Sequence, residues 1–377
     1  MPTLRVVLDQ VLAPVPGGIG RYTEELTRAL IATAPASWQV SGLVARHPDP
    51  ELARLDALLP GLDSIHVNKL PRRALSLAWQ FGLIPPGDRG IVHSPSLFAP
   101  MFRHQSGGDQ QVVATIHDAV PWTHPQTLTP RGVRFHRAMA RRAERYADAV
   151  IVPTAAVADE LGQILRLGDR IRVVGSAVSS ALALPADADE RARQLGLPER
   201  YLLAVGTLEP RKGLEALVRA LAEPGTPRLP LLVVGPAGWG GVDLAGVATS
   251  AGLAPDRVRS LGRLSDSDLA VALDRAAVFV MPSFAEGFGI PVIEAMQFGT
   301  PVVHSDAAAL VEVAGGSGLT VTIGDPASYP ARLSKAIASI IDDDALATEL
   351  RAAGPMRAAT FSWTASAEKV WQLHADL

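Results

Sequence analysis

Short apolar runs rich in β-branched residues alternate with amphipathic stretches along the whole chain. Apolar runs of this kind are typical of buried strands, and apolar positions at helical spacing are typical of helices packed on them. The predicted strands fall in two sets. The first is Leu4–Leu8, Trp38–Ala45, Ser64–Val67, Ile91–His93, Val112–Ile116, Ala149–Val152 and Ile171–Val174; the second is Tyr201–Val205, Pro230–Val234, Val258–Leu261, Val278–Met281 and Pro301–Val303. The alternation predicts an α/β fold with parallel sheets covered by helices on both faces.

A stretch rich in Ala, Pro and Asp, residues 179–198, separates the two sets of strands and predicts a linker. A chain of 377 residues is long for a single core, and two domains fit its length best. We therefore predict two doubly wound, Rossmann-like domains, residues 1–180 and 181–361. Parallel sheets bind ligands at the carboxyl ends of their strands, so we expect the two domains to share one site across a central cleft.

Composition narrows the class of protein. The chain has no cysteine, which excludes disulfides, thiolate nucleophiles and cysteine-ligated zinc and favours a cytoplasmic location. No apolar run is long enough to span a membrane, and the N-terminus lacks a basic leader. Residues 1–180 hold 19 Lys and Arg against 15 Asp and Glu, whereas residues 181–377 hold 16 against 23. The first half is therefore expected to meet an acidic partner, and no nucleic-acid partner is predicted.

One strand, loop and helix stand out in the second half. The predicted strand Val278–Met281 ends at Pro282, a loop carries Glu286, and a helix begins at Pro291. The first N–H groups of a helix and the positive end of its dipole favour an anion. Two carboxylates, Glu286 and Glu294, flank this anion site and can accept hydrogen bonds from sugar hydroxyls. The arrangement predicts a site for a sugar phosphate.

The same stretch carries a resemblance to a known family. From Pro282 to Met296 it reads Pro-Ser-Phe-Ala-Glu-Gly-Phe-Gly-Ile-Pro-Val-Ile-Glu-Ala-Met, with the two glutamates separated by seven residues. This resembles the signature of retaining glycosyltransferases of GT-B fold, the fourth family, which includes many mannosyl-, glucosyl- and rhamnosyltransferases. The resemblance implies that Glu294 binds ribose hydroxyls and Glu286 binds sugar hydroxyls. The backbone expected to hold the donor diphosphate is that of Gly287, Phe288, Gly289 and Ile290.

Two motifs of the first half match the same family. Pro16-Gly-Gly-Ile-Gly places Gly17 and Gly18 at a strand-to-helix turn, where backbone can approach a ligand closely. A dinucleotide-binding fingerprint would need a third glycine where Thr23 stands. The family resemblance places His117 against the donor sugar, with its backbone carbonyl near the anomeric carbon. Asp118 is expected to orient that loop.

Two further motifs lie in the second half. Gly206-Thr-Leu-Glu-Pro-Arg-Lys-Gly places Arg211 and Lys212 beyond a strand end, where they suit a diphosphate. Many family members carry an arginine where Thr207 stands, so the phosphate charge is expected to rest on this pair. Arg263 lies in a loop that resembles the family's nucleotide-base loop, and Ser265 with an aspartate three residues later predicts a capping box. The aspartate runs 266–268 and 342–344 are interpreted as helix ends, and no metal is predicted.

The resemblance implies an activity as well. A hexosyl group would move from a nucleotide-diphosphate sugar, with GDP-mannose as the first choice, to a glycan or lipid-linked acceptor, and the anomeric configuration would be retained. The family's last helix returns to the first domain, so residues 362–377 are assigned there. Three alternatives stay open: a glycoside hydrolase using Glu286 and Glu294, a non-catalytic nucleotide-sugar binding protein and a nicotinamide-dependent oxidoreductase. The sequence does not predict an oligomeric state.

Two basic stretches of the first domain predict a surface contact. Residues Arg131–Tyr146 form an amphipathic pattern with six arginines and one glutamate. Lys69, Arg72 and Arg73, followed by Leu75, Leu77, Trp79 and Phe81, form a second patch. Patterns of this kind favour an anionic membrane surface on the cytoplasmic side, and the alternative is a solvated arginine face over an ordinary core helix.

Overall fold

The computed structural model describes residues 2–14, 17–84, 90–104 and 110–377 and divides the chain into two compact units. Unit 1 comprises Met1–Thr123, Pro130–Ser176 and Ser362–Leu377. Unit 2 comprises His124–Thr129 and Ala177–Phe361. The division falls just before the predicted linker, and the C-terminal segment belongs to unit 1.

Unit 1 is built on a seven-stranded sheet with the strand order β3-β2-β1-β4-β5-β6-β7. Every pairing in it is parallel. Its strands are β1 Thr3–Val7, β2 Gln39–Arg46, β3 Ile65–Pro71, β4 Ile91–Ser94, β5 Gln111–Thr115, β6 Ala149–Val152 and β7 Ile171–Val173. Its helices are α1 Gly17–Ala32, α2 Asp49–Leu58, α3 Arg72–Phe81, α4 Val120–Thr123, α5 Pro130–Tyr146, α6 Ala155–Ile164 and α15 Trp363–Asp376.

Both faces of this sheet are buried, as a parallel sheet requires. Leu4 and Val6 of β1 pack on one face with Leu26 of α1, whereas Val7 packs on the other face with Trp79 of α3. Helix α15 packs in the same core as α1. The indole Nε1 of Trp371 also donates to the Thr33 hydroxyl at 3.2 Å. Residues far apart in the sequence therefore share one core.

Unit 2 is built on a six-stranded parallel sheet with the strand order β10-β9-β8-β11-β12-β13. Its strands are β8 Leu202–Val205, β9 Leu231–Val234, β10 Val258–Gly262, β11 Val278–Met281, β12 Val302–Ser305 and β13 Leu319–Val321. Its helices are α7 Ala188–Gln194, α8 Leu214–Ala220, α9 Leu244–Ser250, α10 Asp266–Asp274, α11 Ile290–Gln297, α12 Ala308–Ala314, α13 Tyr329–Asp342 and α14 Asp344–Ala358.

Successive side chains along the strands of unit 2 point to opposite faces of the sheet, and both faces are buried. Leu203 and Phe279 point into one core cluster, and their neighbours Leu202 and Val278 point into the other. All four are fully buried. The predicted α/β fold of two parallel sheets with alternating helices is confirmed, and the strand order reverses between β8 and β11, where ligands of such sheets bind.

Three details of the sequence analysis need correction. Strand β13 was not predicted, because Leu319–Val321 is short and half exposed at the sheet edge. The predicted linker contains α7, which is held to α10 by ion pairs from Arg191 to Asp268 and from Arg275 to Asp189.

The prediction of a second basic patch on the surface is partly wrong. Leu75 and Trp79 are 0% and 1% exposed and belong to the core, while Arg72 stacks over the Phe98 ring at 5.6 Å. Leu77 and Phe81 are exposed, at 51% and 66%. Within the ranges that the structure describes, no helix combines the length and the apolar character needed to cross a membrane.

Candidate active site

Two loops emerge side by side where the strand order of unit 2 reverses. Strands β8 and β11 are hydrogen-bonded neighbours, so loops 206–213 and 282–289 leave the same edge of the sheet. The Phe284 N–H donates to the Arg211 carbonyl at 2.8 Å. Gly213 has a φ of +65°, and a Cβ there would lie 2.1 Å from the Pro282 carbonyl oxygen. Only glycine allows this contact, which fastens the two loops to each other.

These loops bring three predicted site residues into one ion cluster. Lys212 Nζ donates to Glu286 Oε1 at 2.6 Å, and Arg211 Nη1 donates to Glu286 Oε2 at 3.0 Å. Arg211 Nη1 also donates to the Ala285 carbonyl at 2.6 Å. The side chains of Glu286, Lys212 and Arg211 are 8%, 14% and 15% exposed. Charges that are this well shielded interact much more strongly than charges on the surface.

The cluster fixes the ionisation of Glu286. Burial alone would raise the pKa of this carboxyl group, but the charges of Lys212 and Arg211 outweigh burial and lower the pKa to about 2. Glu286 is therefore an ionised acceptor throughout the neutral range. A carboxyl group in this state has no proton to give.

The loop after β11 ends in a glycine that the packing requires. Gly289 has a φ of +91°, and a Cβ there would come within 2.3 Å of Leu310 Cδ2. Helix α11 begins at the next residue, Ile290, so its positive end lies at the carboxyl edge of the sheet beside Glu286. The ring of Phe288 is 6% exposed and makes an edge contact with Phe361, with ring centroids 5.3 Å apart. Contact between residue 288 and a ligand is therefore left to its backbone.

Glu294 lies on α11 and is 2% exposed, so this carboxylate is buried on the helix that follows the loop. Arg263 follows β10, two strands away from β8 in the sheet, and is exposed.

The predicted capping box is present, since the Asp268 N–H donates to the Ser265 hydroxyl at 3.1 Å. Asp343 caps α14 in the same way. Across the described ranges, no three His, Cys, Asp or Glu side chains are grouped in a way that could hold a metal ion.

His117 lies in unit 1, just beyond the end of β5. Its Nε2 contacts the Pro95 carbonyl at 2.8 Å, a geometry that requires a proton on Nε2. Burial lowers the pKa of His117, and the hydrogen bond to Pro95 only partly opposes that shift. Its ring makes an edge contact with Tyr22, with centroids 4.8 Å apart. Asp118 Oδ1 accepts from the Val120 N–H at 3.1 Å and so holds the loop, in agreement with its predicted role.

Helix α1 begins at Gly17, whose φ is +59°, and Pro16 of the same motif lies outside the described residues. Gly18 has no such conformational requirement. A Cβ at Gly18 would meet no heavy atom within 4 Å among the described residues outside its own chain neighbourhood. Packing inside the protein therefore does not explain why this position is glycine.

One loop of the carboxyl edge was missed by the sequence analysis. Residues 235–242 follow β9 and read Gly-Pro-Ala-Gly-Trp-Gly-Gly-Val. The signal that could have found them is the cluster of glycines directly after a predicted strand, which is typical of a loop that approaches other backbone closely.

Comparison with known families matches both halves of the chain. The family described as Glycosyltransferase Family 4 matches residues 16–181, and the family described as Glycosyl transferases group 1 matches residues 187–357. The chain is 32% identical to the O-antigen chain mannosyltransferase B of Escherichia coli over 289 residues, which are 72% of this chain and 71% of that protein. It is 28% identical to the serotype-specific mannosyltransferase WbdA of Escherichia coli over 268 residues, 68% of this chain but 32% of WbdA.

Two solved structures superpose on the whole length of this chain. The sucrose-phosphate synthase of Thermosynechococcus elongatus superposes with a TM-score of 0.75 at 25% identity, covering 100% of this chain and 99% of that one. HepE of Anabaena, in complex with UDP and glucose, superposes with a TM-score of 0.74 at 19% identity, covering 100% of both chains. At 19% identity, the likeness to HepE shows that the two proteins share a fold.

Proposed function

We propose that this chain, which belongs to the family-four glycosyltransferases of GT-B fold, moves a hexosyl group from a nucleotide-diphosphate sugar to a glycan or lipid-linked acceptor with retention of configuration. The ion cluster of Arg211, Lys212 and Glu286 carries this proposal. It lies at the switch point of a parallel sheet, beside a helix N-terminus, where an anionic ligand is favoured.

The two cations suit the leaving group of sugar transfer. When the bond from the anomeric carbon to the phosphate oxygen breaks, the diphosphate becomes more negative. Arg211 and Lys212 lie on a loop that glycine fastens to the neighbouring loop, so their backbone is already in place to meet this charge. Glu286 offsets one of their two positive charges, and we expect the donor phosphates to compete with it for both contacts.

Glu286 would also accept hydrogen bonds from the hydroxyls of the donor sugar. While Lys212 and Arg211 stay beside it, Glu286 has a pKa of about 2 and is a poor general base at neutral pH, so it is badly suited to deprotonate the acceptor. This supports a retaining reaction in which a phosphate oxygen of the leaving group takes the acceptor proton.

The other predicted residues have assigned parts in this scheme. Glu294 would accept from the ribose hydroxyls and Arg263 would lie at the base, while the backbone of Gly287 to Ile290 would hold the diphosphate. The neutral His117 would place its backbone carbonyl against the donor sugar, and the Gly17 and Gly18 turn would leave room for the donor. No metal or other cofactor is proposed, because the phosphate charge is met by side-chain cations and a helix terminus.

GDP-mannose is the proposed donor. The mannosyltransferase relatives from Escherichia coli support a mannosyl group, and their O-antigen and serotype-specific names support a role in polysaccharide assembly. The proposed location is the cytoplasm, where nucleotide sugars are available.

The glycoside hydrolase alternative fits less well. The pKa of Glu286 is lowered to about 2, so Glu286 could serve only as the nucleophile, and a hydrolase would have no need of the adjacent Arg211 and Lys212. A non-catalytic binding protein would share the ion cluster with an enzyme, so only turnover separates these two.

Thermal-shift titration with GDP and UDP, each with and without EDTA, tests the proposal first. We expect stabilisation that survives EDTA, because a ligand that binds the folded state raises the melting temperature. Product NMR with GDP-mannose should then show the donor's anomeric configuration. No stabilisation by either nucleotide would refute the proposal, loss with EDTA would refute metal independence, and inversion would refute retention.

We further propose that unit 1 reaches a lipid-linked acceptor by touching an anionic membrane surface. On α5, Arg131, Arg134, Arg141 and Arg145 are exposed, while Met139 and Ala143 are buried in the core. Arg137 and Arg142 instead donate to the carbonyls of Pro121 and Met101. Helix α3 lies beside α5, because the Arg142 guanidinium sits at Gly82, where α3 ends.

Helix α3 and the residues after it carry three exposed apolar side chains. Leu77 and Phe81 are one helical turn apart on α3, and Leu83, just beyond its end, is 72% exposed. Lys69 and Arg73 are exposed at the other end of the same stretch. Apolar side chains surrounded by cations suit the interface of an anionic bilayer.

Co-sedimentation with vesicles of neutral and of anionic phosphatidylglycerol-containing composition tests this contact. Binding should require the anionic lipid, weaken with salt, and fall in Phe81→Asp. Met356→Asp, at a 76% exposed apolar position of α14 in unit 2, is the matched control and should bind as the wild type does. Equal binding to both vesicle types would favour a soluble acceptor and the solvated-helix interpretation.

A further inference from the structure

Trp239 is an exposed aromatic residue at the carboxyl edge of the unit 2 sheet. Its side chain is 42% exposed, on the loop that follows β9. Single exposed apolar side chains are common on protein surfaces, so exposure alone assigns Trp239 no role. The contacts of its loop show that the backbone carrying the indole is fixed in place.

The loop of Trp239 is fastened to the loop after β8. The Leu208 N–H donates to the Pro236 carbonyl at 3.0 Å, and Leu208 and Ala237 form an isolated parallel bridge. A Cβ on Gly238 would lie 2.5 Å from Thr207 Cγ2 and 2.8 Å from the Leu208 carbonyl oxygen. Glycine at this position therefore lets the two loops touch backbone to backbone.

The residues after Trp239 fix the loop in the same way. Gly240 has a φ of +97° and Gly241 a φ of +64°, conformations that favour glycine. A Cβ on Gly240 would lie 2.7 Å from Pro210 Cγ. Pro210 directly precedes Arg211, so Trp239 is carried on backbone that contacts the diphosphate-binding segment.

The sheet order places this loop where a nucleoside should lie. Neighbouring strands are about 4.8 Å apart, so the end of β9 is one step from β8, whose loop would bind the diphosphate, on the side away from β11. Arg263, proposed for the base, follows β10, the next strand outward. The loop of Trp239 thus lies between the residues for the phosphates and those for the base.

We propose that the indole of Trp239 is the stacking platform for the nucleobase of the donor. This inference rests on the proposed function, since it assumes that unit 2 binds a nucleotide sugar. An aromatic ring stacks on any base through the flat face of the base, so Trp239 would add affinity for the nucleoside without contacting the phosphates.

The experiment uses the full chain with GDP, UDP and inorganic pyrophosphate as probes in calorimetric titrations. Trp239→Ala should weaken GDP and UDP by about 5- to 150-fold, the range of base–aromatic stacking, and leave pyrophosphate affinity unchanged. Trp239→Phe should recover most of the lost affinity. Met356→Ala is the control for losing an exposed apolar side chain of the same unit.

The outcomes separate this inference from the function on which it rests. Unchanged GDP and UDP affinity in Trp239→Ala would overturn the stacking role while leaving the glycosyltransferase proposal intact. Equal losses for pyrophosphate and for the nucleotides would also overturn it, because Trp239 would then act through the loop of Arg211. If the wild type bound neither GDP nor UDP, the proposed function itself would fail, and the stacking role with it.

Discussion

The candidate site residues at the carboxyl edges of the two sheets differ in charge. In unit 2, three charged side chains are shielded from water and joined by hydrogen bonds of 2.6 and 3.0 Å. In unit 1, a neutral imidazole packs against a tyrosine ring beyond the end of β5, and two charged groups of that edge, Asp9 and His47, form an ion pair at 3.0 Å beyond β1 and β2. Both sheets are parallel, doubly wound and buried on both faces, so the fold does not cause this difference.

The difference shows that one architecture can hold its buried groups in opposite states of charge. Burial lowers the pKa of His117 and raises the pKa of Tyr22 to about 12, so both groups are neutral at neutral pH. Burial acts on Glu286 too, but two adjacent cations overcome it. The ion cluster of unit 2 is therefore suited to stabilise changing charge, whereas His117 and Tyr22 of unit 1 are suited to position groups without charge.

Removing one cation from the ion cluster should lower activity more than any other change proposed for either edge. Lys212→Ala should lower kcat/KM with the nucleotide-sugar donor by about 100- to 1,000-fold, the usual cost of losing one donor to a developing anion. Lys335→Ala, which removes an exposed lysine of the same unit, is the matched control and should leave activity unchanged. Similar kinetics for the two variants would show that the cluster is structural only.

Acid should remove the contribution of the cluster to stability. The pKa of Glu286 is lowered from 4.5 to about 2, so its contribution is complete above about pH 4.5 and is lost as the pH falls from there toward 2. The full loss is on the order of 3 kcal/mol. Urea unfolding at pH 5.5 and pH 3 should show a larger loss in the wild type than in Glu286→Gln. Equal losses would contradict the lowered pKa.

The same variant should bind diphosphate more tightly. Glu286 occupies hydrogen-bonding positions of Arg211 and Lys212 that phosphate would also use, so the two compete. Glu286→Gln keeps the shape of the side chain but weakens this competition by about 1 to 2 kcal/mol, so pyrophosphate affinity should rise about 5- to 30-fold while turnover falls. Calorimetric titration measures the first effect and steady-state kinetics the second. Weaker pyrophosphate binding would mean that Glu286 organises the cations rather than competing for them.

A methyl group at Gly18 tests whether the edge of unit 1 also lies near the donor. Gly18 and Gly162 are both helical glycines with no neighbour within 4 Å of an added Cβ, so alanine should not destabilise either helix. Gly18→Ala should nevertheless lower kcat/KM by about 10-fold, since one misplaced contact at a reacting site commonly costs this much or more. Gly162→Ala should have wild-type kinetics. Equal kinetics in both variants would remove Gly18 from the site.

Much of the fold could be predicted because parallel strands buried on both faces are continuous apolar runs. Ala149–Val152 and Val278–Met281 were predicted with their observed bounds. Strand β13 was missed because an edge strand needs only one buried residue, Val321, and leaves no such run. The linker was predicted without its helix because the ion pairs that stabilise α7 come from residues about 80 positions away.

The sequence predicted which residues form the candidate site but not which of them are hydrogen-bonded to each other. The positions of Arg211, Lys212 and Glu286 after strands placed them at one edge, yet nothing local in the sequence indicates that the carboxylate pairs with both cations. That pairing depends on which strands are neighbours, and β8 and β11 are separated by two strands in the sequence. The loop of Trp239 was missed for a related reason, because its contacts with Thr207 and Leu208 become visible only when β9 lies beside β8.

The smallest expected effect concerns charges at the edge of unit 2 that lie outside the cluster. Asp268 and Ser265 form a cap at the start of α10, and Asp268 is also paired with Arg191 at 2.8 Å. Ser265→Ala should therefore cost about 1 kcal/mol of unfolding free energy and leave the steady-state kinetics unchanged. A large loss of activity without a matching loss of stability would mean that the aspartate run 266–268 takes part in the reaction. The chemistry of unit 2 would then extend beyond the loops of β8 and β11, and the contrast with the neutral His117 and Tyr22 of unit 1 would rest on the whole edge of unit 2 rather than on one ion cluster.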